Sequence, residues 1–178
     1  KTHGFDYVYG RDEWILWLLS KWIRVPIVWE SHEARFSYGA RKLVERIPLV
    51  VISEGIRDFY IQHGVDPSRI LVAYDAVDER FFETLPATPV AKQTLGITGE
   101  KPVALYVGGL DGWKGAETLC KAGKDQDVFQ VCIMGGKEYE ITLMKRMYPW
   151  VHFLGAYPYR ELPQHQQAGD VLVIPNTG

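Results

Sequence analysis

The chain has 178 residues, of which 47% are hydrophobic and 24% are charged, and its formal net charge is −2. This composition is typical of a soluble globular protein. The nearly balanced charge argues against a nucleic-acid partner, because nucleic-acid-binding domains usually present a basic face. The longest apolar run, Trp14–Leu19, is far shorter than the ~20 residues that a membrane-spanning helix needs.

Short apolar runs alternate with segments of helical periodicity along most of the chain. Continuous runs rich in β-branched residues are typical of parallel strands buried on both faces. Their alternation with helices predicts an α/β fold with doubly wound parallel sheets. The predicted strands are Asp6–Tyr9, Pro26–Trp29, Pro48–Ile52, Ile70–Ala73, Val103–Val107, Val128–Met134, Val151–Leu154 and Val171–Ile174. The predicted helices cover residues 11–22, 35–46, 54–63, 113–123, 137–148 and 159–168.

The alternation stops between about Asp78 and Lys101, where the chain carries prolines and charged residues but no strand-like run. Such a segment is typical of a connection between two units, here with a short helix around Val90–Leu95. We therefore predict a partial N-terminal Rossmann-like domain over residues 1–80, a linker over 81–100 and a partial C-terminal Rossmann-like domain over 101–178. Neither domain has the strands for a complete six-stranded sheet, and we expect both ends of the chain to be truncated.

The strongest local motif is the turn Gly108–Gly115, which follows the predicted strand Val103–Val107 and precedes a helix. Glycines allow a ligand to approach the backbone closely, and the N–H groups at the start of a helix attract anions. Lys114 adds a point charge for a phosphate. The spacing is neither that of a Walker A loop nor G-x-G-x-x-G. An ordinary tight turn with a solvated lysine explains this segment equally well.

Glycines also end two neighbouring strands of the same unit. Gly135 follows Val128–Met134, and Gly155 follows Val151–Leu154. Ligands of open α/β sheets bind outside the carboxyl ends of the strands. We therefore predict that these turns line one crevice with Gly108.

In the first unit, the strand Pro26–Trp29 leads into Glu30-Ser31-His32-Glu33. Histidine and glutamate just beyond a strand can act as acid, base or orienting groups, and His32 is the catalytic candidate. No third ligand completes a metal site, so no metal is predicted. The alternative is a polar loop in which Ser31 caps a helix, as Ser53 is predicted to do for helix 54–63.

Two features bear on the location of the protein. Cys120 and Cys132 lack metal-ligand spacing, and we interpret them as free buried thiols in a reducing compartment, the cytoplasm. Trp14, Trp17 and Trp22 recur at helical spacing, which favours a place in the core. The alternative is an acceptor-side patch that makes a peripheral contact with a membrane.

Three stretches resemble motifs of one enzyme family. They are Val51–Phe81, which includes Ser53-Glu54-Gly55; Tyr106–Leu110 with Lys114-Gly115; and Val151–Pro175. In order and interval they are similar to the family-4 (group 1) retaining glycosyltransferases of the GT-B type. The resemblance covers about residues 26–178.

This resemblance implies two Rossmann-like domains, with the donor nucleotide mainly in the C-terminal one. The implied reaction transfers a sugar from a nucleotide-diphosphate-sugar donor to a saccharide or lipid-linked acceptor, with retention of configuration and typically without a metal or other cofactor. Lys114 corresponds to the lysine that binds the donor diphosphate, with Gly108 beside it. His32 corresponds to a histidine near the reacting sugar.

The sequence departs from the family pattern at several positions. Gly109 stands where the family usually has an arginine, and Lys137 and Arg160 are candidates to replace that charge. A lost charge-assisted phosphate contact costs roughly 1.5–3 kcal/mol. Asp75 replaces an asparagine, and the family's E-x7-E element would follow Gly178. We therefore expect this chain to be weakly active or inactive.

The departure at Gly109 leaves a second hypothesis open, a non-catalytic paralogue that binds sugar nucleotides. A third is a sugar-nucleotide epimerase of the same fold. That enzyme needs its own set of catalytic carboxylates, which is not recognisable in this sequence.

Overall fold

Eight β-strands form two all-parallel sheets with flanking helices in the computed structural model, which describes residues 4–176. The chain divides into two compact units, Lys1–Val77 and Asp78–Gly178, and each unit contains one four-stranded sheet. Each predicted strand has its counterpart in the structure. The prediction of two Rossmann-like parallel units is therefore confirmed.

In the first unit the strands lie in the order β1-β2-β3-β4, so each strand pairs with its neighbour in the chain. Its helices begin two to three residues later than predicted at two places, because Asp12 and Ser37 accept hydrogen bonds from the first-turn N–H groups. Ser53 caps the third helix as predicted. The elements are β1 (Val8–Gly10), α1 (Glu13–Leu19), β2 (Ile27–Ser31), α2 (Tyr38–Val44), β3 (Leu49–Val51), α3 (Glu54–Gln62) and β4 (Ile70–Val72).

The core of the first unit forms where helices α1, α2 and α3 pack on the sheet. Leu16, Leu43 and Tyr60 come from the helices and are almost fully buried against strand residues such as Trp29. Of the predicted tryptophan stripe, Trp17 packs against this core, whereas Trp14 and Trp22 are exposed. No helix within residues 4–176 combines the length and hydrophobicity needed to cross a bilayer.

In the second unit the strands lie in the order β7-β6-β5-β8. The chain thus runs outward from β5 to β7 and then returns to the other side of β5. This reversal makes the gap between β5 and β8 the switch point of the sheet, the usual location of ligands in such folds. The elements are α4 (Thr88–Thr94), β5 (Val103–Val107), α5 (Ala116–Ala122), β6 (Gln130–Met134), α6 (Glu138–Met147), β7 (His152–Gly155), α7 (Leu162–Gln166) and β8 (Val171–Leu172).

Both faces of the second sheet are buried, as the continuous apolar runs predict. Alternate residues of one strand enter different cores: Tyr106 packs with residues of α5 and α6, whereas Leu105 packs on the opposite face. The second of these cores also contains Ala91 and Ile97. Residues 81–100, predicted as a linker, therefore contribute a helix and buried apolar side chains to the second unit.

An ion pair joins α4 to the sheet. The Asp170 carboxylate lies 2.6 Å from Lys92 Nζ and accepts a hydrogen bond of 2.7 Å from the Val103 backbone N–H. These two contacts lower the pKa of Asp170, with the Lys92 ammonium as the larger cause. The carboxylate therefore links the segment before the sheet to the first residue of β5.

The two cysteines of the chain are not joined by a disulfide. Cys120 and Cys132 are fully buried and unpaired. Burial raises the pKa of Cys120 to about 11 and that of Cys132 to about 12. Both thiols are therefore protonated and inert in the folded protein.

Candidate functional site

Three glycine turns meet at the carboxyl edge of the second sheet. The Gly108 N–H donates to the Met134 carbonyl at 2.9 Å, and the Gly135 N–H donates to the Gly155 carbonyl at 2.7 Å. The turns after β5, β6 and β7 are thus joined to one another by backbone hydrogen bonds. Because the N–H groups of Gly108 and Gly135 already donate to carbonyl groups of the protein, a ligand at this edge would have to accept hydrogen bonds from other groups.

The requirement for glycine at these turns comes mainly from the protein's own packing. Gly135 has a φ of +111°, and a Cβ at this position would lie 2.1 Å from the Gly108 carbonyl oxygen. A Cβ on Gly108 would lie 2.7 Å from the Tyr106 hydroxyl. Gly155 also has a positive φ, of +84°, but open space lies beside it. Glycine at positions 108 and 135 therefore permits the turns to pack closely. At Gly155 no protein atom occupies the space that a side chain would take.

Lys114 lies beside Gly109 in the loop that follows β5. A Cβ on Gly109 would be 3.4 Å from the Lys114 ammonium. The Tyr106 hydroxyl donates to the Gly109 carbonyl at 2.5 Å and holds this part of the loop. The Asp111 carboxylate, which is not among the predicted site residues, is 3.6 Å from Lys114 Nζ. The lysine is 32% exposed and has an acidic neighbour that offsets part of its charge.

The switch point between β5 and β8 is closed by a backbone contact. Gly115 adopts the left-handed conformation with φ +71°, and a Cβ there would lie 1.8 Å from the Pro175 carbonyl oxygen. The chain after β8 therefore passes directly against the start of α5. Only glycine fits at position 115, because both the space and the backbone conformation exclude a side chain.

The two residues considered as replacements for the missing arginine lie on neighbouring loops. Lys137 precedes α6, where its backbone N–H donates to the Glu140 carboxylate at 2.7 Å. Arg160 belongs to a short 3-10 helix after β7, and its guanidinium lies 6.0 Å from the Phe81 ring. The atoms nearest to a Cβ on Gly109 belong to Asp111 and Lys114 and not to either of these two side chains.

In the first unit, His32 belongs to a polar cluster around Glu30, at the carboxyl end of β2. Its Nε2 atom contacts Glu30 Oε1, which also forms an ion pair with Arg11, whose Nε atom lies 2.8 Å away. The Tyr9 hydroxyl donates to Glu30 Oε2. These contacts, first that of Tyr9 and then that of His32, lower the pKa of Glu30. Its carboxylate is 12% exposed and stays ionised.

The Ser31 side chain holds the loop that carries His32 in place. Ser31 is buried, and its hydroxyl lies 3.0 Å from both the Glu33 carbonyl oxygen and the Tyr60 hydroxyl. The alternative capping role of Ser31 is not observed, since Ser37 caps α2 and Ser31 holds the loop instead. A cavity of about 290 Å³ opens above this loop. Among the residues that line it are Arg11, Trp14, Trp29, Glu30, His32 and Arg35.

His32 and the glutamates beside it stand out in the sequence because they follow a predicted strand, and only His32 was predicted to be catalytic. Tyr9 and Arg11 were not predicted as parts of this cluster. Tyr9 and Arg11 come from the end of the adjacent strand β1, whose register sets Gly10 beside Trp29. Among residues 4–176, no group of three His, Cys, Asp or Glu side chains is arranged to hold a metal ion.

No protein-family model and no curated protein matches this chain. Solved structures do match it. HepE from Anabaena, in complex with UDP, is 22% identical over 98% of this chain and 54% of HepE, with a TM-score of 0.75. Sucrose-phosphate synthase from Thermosynechococcus elongatus is 18% identical over 98% of this chain and 51% of the synthase, with a TM-score of 0.73.

A third match is the lipopolysaccharide outer core galactosyltransferase WaaB, which is 19% identical over 96% of this chain and 50% of WaaB, with a TM-score of 0.62. The chain spans about half the length of these structures. At this level of identity the likeness establishes the fold. The two Rossmann-like units of this chain have the GT-B fold of these structures.

Proposed function

We propose that the protein is a glycosyltransferase that moves a sugar from a nucleotide-diphosphate donor to a saccharide or lipid-linked acceptor with retention of configuration. The observation that carries this proposal is the meeting of three glycine turns and Lys114 at the carboxyl edge of the second sheet. HepE, which shares the fold, has been crystallised with UDP-glucose and with UDP and glucose. These complexes support a nucleotide sugar as the donor.

In the proposed reaction, the bond between the anomeric carbon of the sugar and the diphosphate oxygen breaks, and a bond to the acceptor oxygen forms on the same face. The departing diphosphate gains negative charge, and a cation held where that charge develops stabilises the transition state. Lys114 is proposed to supply that cation. His32 is proposed to lie near the reacting sugar. No metal or other cofactor forms part of the proposal.

One observation favours the alternative, a paralogue that binds sugar nucleotides without catalysis. Gly109 replaces the usual arginine, and Asp111 lies 3.6 Å from the remaining lysine. The positive charge available to a diphosphate is therefore smaller than the family pattern implies. Such a site would still bind a donor, but it would stabilise the departing charge less.

The test is equilibrium binding of UDP, GDP and ADP by titration calorimetry. We expect one of them to bind, and Lys114→Ala to weaken it by about 10- to 150-fold, which corresponds to a charge-assisted contact of about 1.5–3 kcal/mol. Lys121→Ala is the matched control, because Lys121 lies on α5, is 65% exposed and pairs with Glu117. The donor site is refuted if none of the three binds at millimolar concentration, or if both variants weaken binding equally.

Transfer from the corresponding nucleotide sugar separates the two candidates. Release of nucleotide with formation of a glycoside would support the enzyme. Nucleotide binding by the wild type without any turnover would support the paralogue.

A further inference from the structure

The cluster around Glu30 fixes how His32 is used. We propose that Glu30 is a positioning residue that holds the Nε2–H of His32, so that Nδ1 is the atom that accepts a hydrogen bond from a sugar hydroxyl in the cavity. The role of that hydroxyl rests on the proposed function. The positioning itself does not.

The protonation of the ring follows from the chemistry of its partner. An ionised carboxylate can only accept hydrogen bonds, so the ring nitrogen that contacts Glu30 Oε1 must carry a proton. In a neutral imidazole the other nitrogen is then an acceptor. Among residues 4–176, none hydrogen-bonds Nδ1 of His32. The acceptor atom is therefore available to a ligand.

Glu30 is itself held in place by two further contacts. Arg11 Nε lies 2.8 Å from Oε1 in an ion pair, and the Tyr9 hydroxyl donates to Oε2. The backbone carbonyl of Arg11 accepts a hydrogen bond of 3.1 Å from the buried Trp29 indole. The carboxylate therefore cannot turn away from His32 without losing contacts to two residues at the end of the neighbouring strand.

The location of the ring suits a neutral, hydroxyl-bearing ligand. The His32 side chain is 29% exposed and lines the cavity of about 290 Å³ together with Trp14 and Trp29. The guanidinium of Arg11 balances the charge of Glu30. The cavity lining as a whole has more carboxylates than guanidiniums, since Asp12, Glu13 and Glu33 face only Arg35 as a further cation, and it therefore disfavours an anionic ligand. A sugar ring combines apolar faces for the tryptophans with hydroxyl donors for Nδ1.

The first test reads the imidazole directly and does not depend on turnover. Long-range proton–nitrogen correlation spectra of the ¹⁵N-labelled full chain report which ring nitrogen is protonated, and His32→Ala identifies the signal. We expect a slowly exchanging Nε2 proton in the wild type and in Glu30→Gln, whose amide oxygen still accepts. We expect faster exchange in Glu30→Ala. A wild-type ring protonated only at Nδ1, or an unchanged Nε2 proton in Glu30→Ala, would overturn the proposal.

The second test is kinetic and uses sugar transfer from the donor identified above. We expect Glu30→Ala to lower kcat by roughly 10- to 100-fold. This is the range of activity lost when the hydrogen-bond partner that orients a metal-bound histidine is removed, and the same orienting role is proposed for Glu30. Donor KM should change little, and Glu30→Gln should recover most of the rate. Glu45→Ala is the matched control, since Glu45 is exposed and pairs only with Lys42 among the described residues.

A double variant separates positioning from a general structural effect. If Glu30 acts through His32, Glu30→Ala causes no further loss of kcat in a His32→Ala background. Multiplicative losses would show that Glu30 acts independently and would overturn the proposal. If the wild type transfers no sugar, catalysis by this chain is refuted, and the spectra alone decide whether Glu30 positions the ring.

Discussion

Replacing Gly135 by alanine tests whether the glycine turns of the second unit are needed for the packing of the chain against itself. The new methyl group would lie 2.1 Å from the Gly108 carbonyl oxygen, which is backbone and cannot rotate away. Relieving this contact must push apart the turns after β5 and β6. The hydrogen bonds from Gly108 N–H to Met134 and from Gly135 N–H to Gly155 would then lengthen or break.

The magnitude has two parts. An alanine forced to a positive φ costs about 1–2 kcal/mol. Overpacking against a rigid neighbour adds about 1–3 kcal/mol. We therefore expect Gly135→Ala to lower the free energy of unfolding by about 2–5 kcal/mol.

Gly155→Ala is the matched control. Gly155 has a comparable φ of +84°, but nothing lies within 4 Å of the position that an alanine methyl group would take there. Only the backbone term of about 1–2 kcal/mol applies to this variant. The difference between the two variants therefore measures the close approach of Gly135 to Gly108.

The measurement is urea-induced unfolding followed by far-ultraviolet circular dichroism. The comparison requires that the free energy of unfolding depend on the urea concentration with the same slope in both variants. Equal losses of free energy in Gly135→Ala and Gly155→Ala would refute the reasoning. A larger loss in Gly155→Ala would do so as well.

Two further predictions concern acid stability and thiol reactivity. The pKa of Asp170 is lowered in the folded state by Lys92 and the Val103 N–H, so its contribution to stability is present above its unfolded pKa and is lost as the pH falls through the folded pKa. Asp170→Asn should therefore lower the urea midpoint at pH 7 and flatten its decline below about pH 4, and an unchanged pH profile would contradict this. Cys120 and Cys132 should react with a thiol reagent only after urea is added, because burial raises the pKa of both thiols. Rapid labelling of the native chain at pH 8 would show that the two thiols are accessible in the folded protein and would contradict this prediction.

The strands of this protein are readable in its sequence because each is a continuous apolar run. In the run Val103–Val107 every residue enters one or the other core of the second unit, which is why no alternation is visible. Helix boundaries were less accurate, since Asp12 and Ser37 end the preceding loops by accepting first-turn N–H groups. Residues 81–100 lack a strand, but they contain apolar side chains that reach the second core.

The candidate sites, too, were predictable from the sequence only in part. The glycines at 108, 135 and 155 are visible because each ends a recognisable strand, and parallel strands bring their carboxyl ends to one edge. Asp111 lies in the same loop as Lys114, yet its approach to the ammonium depends on how the loop turns. The role of these residues in donor binding stays a prediction.

By itself, the sequence determined the α/β class, the eight strands and the positions of the glycine turns, because hydrophobic burial and positive φ leave local marks on a chain. Only the tertiary structure decided the strand order β7-β6-β5-β8, which sets the switch point. It also decided the contact of Gly115 with Pro175 and the contacts of Tyr9 and Arg11 with Glu30. The partners in these contacts lie on different strands and loops, and nothing in either local segment specifies the other.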